Sequence, residues 1–181
     1  MSTRWEGTNA PRGDDYDARW RRLAAGGQNI HGEADLVEAL LRESGGTRVL
    51  DAGCGTGRVA VELAARGFSV VSVDVDNGML TTARVKNPEL EWIAADLSEV
   101  GGHVDGEFDL VVLAGNVMIF LGPGSEGRVV RELVTARMEA LFSDMRASFP
   151  RHAIVVHAGP LGPMFRSLLV SRLLCVDGHG V

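Results

Sequence analysis

Three glycines and three aspartates stand in this sequence where backbone and carboxylate groups would meet a ligand. In Val49-Leu50-Asp51-Ala52-Gly53-Cys54-Gly55-Thr56-Gly57 an apolar strand ends in an acid and passes through Gly53, Gly55 and Gly57 into a helix. Glycine lets a backbone turn tightly and lets a ligand lie directly on the main chain. The helix that follows presents unpaired N–H groups at its start. Seventeen residues after Gly57 a second apolar run, Val70-Val71-Ser72-Val73, ends in Asp74, where a carboxylate can accept hydrogen bonds from both hydroxyls of a ribose. A third run ends in Asp96, placed to receive an amino group such as that of adenine. Any one of these acids alone reads as a helix cap or a solvated loop residue, and Asp76 and Asn77 read as caps. Three of them at the ends of successive strands beside a glycine turn read as a site.

The spacing separates two ligand classes. A dinucleotide fingerprint is GxGxxG. Counted from Gly53 and Gly55 its last glycine falls on Arg58, and counted from Gly55 and Gly57 it falls on Ala60. The second register leaves Asp51 and Gly53 unexplained. Asp51 would also oppose an anionic pyrophosphate, whereas carboxylates favour a ligand carrying an ammonium and a sulfonium. A NAD(P)-dependent oxidoreductase is thus the weaker alternative.

The elements that hold these residues alternate strictly. TRVLDAG reads as a strand, GRVAVELAARG as a helix, FSVVSVD as a strand, NGMLTTARVK as a helix, and ELEWIAA and FDLVVLAGN as two further strands. Runs such as VVSV and LVVL are apolar throughout, as expected of strands with helices on both faces. The pattern predicts an α/β, Rossmann-like, doubly wound and mainly parallel sheet. A helix over 33–43 precedes it, a long helix is expected over 125–148, and AIVVHAG after Pro150 is the fifth strand. The first 32 residues read as an arm or lid with a turn or two of helix in DDYDARWRRLAA. Residues 33–158 form the domain, and 159–181 are a tail.

The chain has 181 residues, 45% of them hydrophobic, enough for one domain with a sizeable core. Its net charge of -6 disfavours a nucleic-acid partner and suits a small molecule. With no apolar stretch near 20 residues and no signal-type start, neither a membrane span nor export is expected, which suggests the cytoplasm. Cys54 and Cys175 are too far apart in sequence for a zinc ribbon or a disulfide framework, and His152, His157, His179 and Cys175 match no metal-ligand spacing. No metal is expected.

VLDAGCGTGRVAVELAARG, SVVSVDVDNGML, WIAADL and FDLVVLAGNVMIFL together resemble the successive motifs of class I S-adenosylmethionine-dependent methyltransferases. The resemblance covers about residues 33–121. It implies that the cofactor is S-adenosylmethionine and that a methyl group goes to a small-molecule acceptor by in-line displacement. It further implies that Gly53, Gly55 and Gly57 shape the turn under the methionyl part. Asp51 then supports the turn and the amino group, Asp74 binds the ribose, Met79 packs on the adenine, and Asp96 with Leu97 meets the adenine edge. Asn116 would sit where the methyl group meets the acceptor, and His31 is a second candidate there. Tyr16, Trp20 and His31 fall in the arm that often lids the cofactor in this family, although surface packing also explains each of them.

The family's sheet has seven strands in the order 3-2-1-4-5-7-6. Only twenty-three residues follow Ala158, while a closing helix and hairpin need roughly 35 at common element lengths. A shortened carboxyl end with five clear strands and at most one short strand beyond them is therefore expected. A tail rich in Leu161, Met164, Phe165, Leu168, Leu169, Leu173 and Leu174 would cover the sheet edge or serve a homodimer contact. A shortened end also leaves open a protein that binds S-adenosylmethionine without turning over.

Overall fold

The strand segments are apolar on both sides because each contributes alternate residues to two separate cores. In the computed structural model, which describes residues 2–133, 154–156 and 169–171, strands β1 (Arg48–Ala52), β2 (Ser69–Asp74), β3 (Glu91–Ala94) and β4 (Leu110–Leu113) run side by side and parallel. Val49, Val70, Leu110 and Val112 point into one core. Leu50, Val71, Val111 and Leu113 point into the other. The first core is closed by α2 (Gly32–Ser44), α3 (Arg58–Ala65) and α4 (Asn77–Lys86), through Val37, Leu41, Val59, Leu63 and Leu80. The second is closed by the 3-10 turn Leu97–Gly102 and by the helix over 126–133, through Val100, Val129 and Leu133, and by Phe108 in the segment leading into β4.

The sheet order is β3-β2-β1-β4-β5-β6, where β5 is Ile154–Val156 and β6 is Leu169–Ser171. β5 lies parallel to β4 and β6 antiparallel to β5. The expected Rossmann-like topology is therefore present. Among the described residues one antiparallel strand follows β5. β1 has β2 on one side and β4 on the other, so the chain switches direction across the sheet at β1. Open α/β sheets carry their crevice at such a switch point, outside the carboxyl ends of the strands. The expected helix over 125–148 is described for 126–133, and its remainder lies outside the described residues. So do His152, His157, His179, Cys175 and the tail leucines other than Leu169. Among the described residues no helix is long and apolar enough to cross a membrane.

Local signals set the helix ends. Gly45, in the left-handed region at φ 75°, closes α2. Asp76 caps α4, its side chain accepting from the Gly78 and Met79 amides at 2.8 and 3.1 Å. The arm departs from expectation, because α1 (Gly13–Ala25) is a 13-residue helix rather than a turn or two. Asp14 and Asp15 in its first turn and Arg22 in its last complement the helix dipole. The single buried residue of this helix is charged: Asp17, 6% exposed. Its partners, Thr56 and Lys86, lie on the domain body, so they anchor α1 there.

Candidate active site

The glycine turn is built by its neighbours. Gly53, Gly55 and Gly57 all have positive φ, at 80°, 56° and 76°, a region costly for other L-residues. Gly53 lies so close to Val117 that a Cβ would stand 2.5 Å from its methyl carbon, and at Gly57 a Cβ would stand 2.3 Å from the Trp92 ring. The amides of Gly53 and Cys54 both donate to the Val73 carbonyl, at 2.7 and 3.0 Å, and the Gly57 amide donates to the Cys54 carbonyl at 2.9 Å. The Gly55 amide donates to Asp74 Oδ2 at 2.7 Å. These four N–H groups are committed to the protein, so at Gly53 and Gly55 the turn offers the crevice bare Cα surface.

A cavity of about 460 Å³ opens at this point. Asp51, Gly53, Gly55, Asp74, Met79, Asp96, Leu97 and Asn116 all line it. Two expected residues do not. Gly57 faces away because its role is to admit Trp92 beneath the turn. His31 precedes α2 and turns its Nδ1 toward Glu62 at 3.3 Å, off the cavity wall.

Asp51 is the unusual group. It is 1% exposed, and neither carboxylate oxygen has a hydrogen-bond partner of normal geometry among the described residues. Burial pushes its pKa up to about 7; the Arg58 guanidinium and the Ala60 N–H dipole pull it down, and the Asp74 carboxylate pushes it up. Asp74 is also raised by burial, against the pull of the Asp76 and Gly55 amides that it accepts. Asp96 caps the following 3-10 turn by accepting from the Ser98 amide at 2.8 Å. Burial holds the Cys54 thiol well above its usual range, so Cys54 is packing and not a nucleophile. Asn116 takes the left-handed conformation at φ 68° at the head of α5 (Val117–Phe120).

The arm supplies the opposite wall. Tyr16 and Trp20 line the cavity rather than packing on the surface, and so do Trp5, Arg19 and Arg22. Trp5 donates from Nε1 to Asp76 Oδ2 at 2.8 Å and meets the Phe120 ring edge to face at 5.2 Å. Burial would raise Asp76, but hydrogen bonds from Trp5, Met79, Arg12 and Gly78 together hold it below the usual carboxylate range. The Gly13 amide lies 3.2 Å from Met79 Sδ. Arg58 sits 3.9 Å over the Trp20 ring and forms a two-pronged pair with Glu33, at 2.6 and 2.9 Å. The buried Trp20 indole N–H has no acceptor among the described residues.

Trp5, Arg58, Glu33 and Phe120 were not recognisable as site residues from spacing. One signal was available: two of the three tryptophans fall in a polar amino-terminal segment with no apolar face of its own to bury them.

Comparison with known proteins points in one direction. A family profile described as a methyltransferase domain matches residues 49–137. A solved TehB-like SAM-dependent methyltransferase from Corynebacterium glutamicum is 35% identical, with a TM-score of 0.63, over 81% of this chain and 73% of that one. Magnesium protoporphyrin IX methyltransferase from Synechocystis, solved with bound SAM, is 26% identical, with a TM-score of 0.50, over 66% of this chain and 65% of that one. The glycine/sarcosine N-methyltransferase of Parasynechococcus marenigrum is 36% identical over 107 residues, which are 57% of this chain and 38% of that one. The chain thus spans well under half the length of this curated relative.

Proposed function

Because the chain belongs to the class I S-adenosylmethionine-dependent methyltransferase family, we propose that it binds S-adenosylmethionine in the cavity beyond β1, β2 and β4 and methylates a small-molecule acceptor. The observation that carries this reading is Asp51: a fully buried carboxylate on the cavity wall with no hydrogen-bond partner of normal geometry for either oxygen among the described residues. A buried charge is retained only where something pairs with it. An ammonium group beside the glycine turn would supply that pair. The unpartnered Trp20 indole N–H on the arm side suits a carboxylate oxygen. A cation acceptor and an anion donor across one cavity match a zwitterionic amino-acid end.

The remaining roles follow from position. Asp74 already accepts two backbone amides, at 2.7 and 2.8 Å, and a carboxylate has room for about four hydrogen bonds, so lone pairs remain for ribose hydroxyls. Met79 and Leu97, with Asp96 between β3 and the 3-10 turn, form the wall for an adenine ring. When bound, S-adenosylmethionine supplies an electrophilic methyl group on a sulfonium. Asn116 and the Tyr16 hydroxyl, which points toward Gly115, stand at the end of β4, where an acceptor heteroatom would be aligned. Trp5, Trp20 and Phe120 shield that end from water. Positioning of this kind contributes roughly 7 to 11 kcal/mol in the best-oriented reactions, so the site needs no side-chain nucleophile.

The test is a thermal-shift series with S-adenosylmethionine, S-adenosylhomocysteine and NADH. A ligand at about 100 times its Kd stabilises the fold by about 2.7 kcal/mol. Stabilisation by the first two and not by NADH is expected; stabilisation by NADH alone would overturn the reading. Methyl transfer from labelled cofactor to a panel of amine, hydroxyl and carboxylate acceptors then separates an enzyme from a protein that only binds.

A further inference from the structure

The glycine turn is not held by its own strand and helix alone. Thr56, between Gly55 and Gly57 and 1% exposed, donates from Oγ1 to Asp17 Oδ1 on α1 at 2.6 Å. Its carbonyl accepts from Lys86 Nζ at 2.9 Å. Lys86 closes the ring by pairing with Asp17 Oδ2. A residue of the arm, the middle of the turn and the last residue of α4 therefore meet in one network. Lys86 would favour the carboxyl end of its helix electrostatically in any case. Its ammonium is directed instead to Thr56 and Asp17. Thr56 lines the cavity, while Asp17 and Lys86 do not.

We propose that Asp17 and Lys86 form a latch that seats the arm against the glycine turn and so position the turn for the cofactor, acting through Thr56 without touching ligand. This rests on the proposed cofactor site. The physical reason is that α1 carries cavity residues Tyr16 and Trp20 on either side of Asp17 in sequence, so the seat of Asp17 sets where both rings stand. With the latch undone, α1 loses its one buried anchor and the wall opposite Asp51 and Gly55 is no longer fixed. If closing the latch favours cofactor binding by some factor, cofactor must favour the closed latch by the same factor.

The composition supplies a reporter. Lys86 is the only lysine in the chain, and its side chain is 31% exposed, within reach of an amine-acylating reagent. Its labelling can be read by mass spectrometry beside that of the terminal amine. With S-adenosylhomocysteine at saturation, set by calorimetry, acylation of Lys86 is expected to slow about tenfold, within the usual range of coupling between sites, while the terminal amine reacts as before. Lys86→Gln should weaken S-adenosylhomocysteine binding by about the same tenfold, and Lys86→Arg should restore most of it. An unchanged labelling rate at demonstrated saturation overturns the latch, as does parent-like affinity in Lys86→Gln. If the parent binds no S-adenosylhomocysteine, the cofactor reading fails instead. The latch is then read without ligand, by hydrogen exchange of the α1 amides in Asp17→Asn: exchange faster by about tenfold supports it, and parent-like exchange overturns it.

Discussion

Replacing Asp51 with asparagine should make the protein more stable and a poorer binder. Burial raises the Asp51 pKa to about 7 from an ordinary 3.8, so between those values the folded protein keeps a proton that the unfolded chain has released. Stability must fall as pH rises wherever the folded state binds more protons. The penalty is therefore absent below pH 3.8, grows through the interval and is complete above about pH 7. Roughly three pH units at about 1.36 kcal/mol each give a cost on the order of 4 kcal/mol at about pH 8. The asparagine side chain does not ionise and fills nearly the same volume. In ligand-free protein the Asp51→Asn variant should match the parent near pH 4 and exceed it by about 4 kcal/mol at about pH 8, or roughly 10 °C in Tm for a chain of this size.

Binding should move the other way. An ammonium beside Asp51 favours its ionised form, so S-adenosylhomocysteine should bind the parent more tightly as pH rises toward about 7 and release protons on binding near pH 6. The variant should bind with roughly 10- to 150-fold lower affinity, the worth of one charge-assisted hydrogen bond, and with little pH dependence. Urea unfolding from about pH 4 to about pH 8.5 reads the first effect. Calorimetry in two buffers of different ionisation enthalpy reads the second. An Asp51→Asn protein less stable than the parent near pH 8 would mean that the carboxylate is already paired within the protein, and the argument for a cationic ligand would go with it.

Asp74→Ala should weaken S-adenosylhomocysteine by at least about tenfold in calorimetry, since it removes an acceptor for charge-assisted hydrogen bonds and also frees the Gly55 amide; unchanged affinity in a folded variant would remove Asp74 from the site. Trp20→Phe keeps a ring under Arg58 and drops the unpartnered indole N–H, so unfolding should change little while cofactor affinity falls by about 5- to 10-fold, the worth of one hydrogen bond. Gly57→Ala combines a left-handed backbone with a clash against Trp92 and should cost about 2 to 5 kcal/mol in urea unfolding. Gly45→Ala, at φ 75° with open space around it, should cost only about 1 to 2 kcal/mol; equal losses at the two positions would show that packing against Trp92 plays no part.

What could be read from the sequence was local. The apolar runs of β1, β2 and β4 and the helix signals of α2 and α4 depend on neighbours a few residues away, so pattern alone places them. Asp51, Asp74 and Asp96 followed from strand ends plus topology, because a parallel sheet brings the carboxyl ends of its strands to one edge. The arm was not legible in the same way. Asp17 looks like one more solvated acid in DDYDARW, and its burial depends on Thr56 and Lys86, which are 39 and 69 positions away. His31 illustrates the converse, a residue type suited to catalysis whose surroundings turn it toward Glu62.

Arg58 joins the two kinds of information. In the sequence it counted only as an absence, the residue standing where a dinucleotide fingerprint needs glycine. In the structure its guanidinium stacks on Trp20, pairs with Glu33 and donates to the Ile30 carbonyl, while also lowering the pKa of Asp51. A glycine at this position would lose all four interactions. The arm would lose its contact under Trp20, buried Glu33 would lose its two-pronged pair with Arg58, and Asp51 would be harder still to ionise. The same side chain that departs from the dinucleotide pattern thus ties the arm to the turn and keeps the Asp51 carboxylate within reach of ionisation near neutral pH, the state that an ammonium-bearing ligand requires.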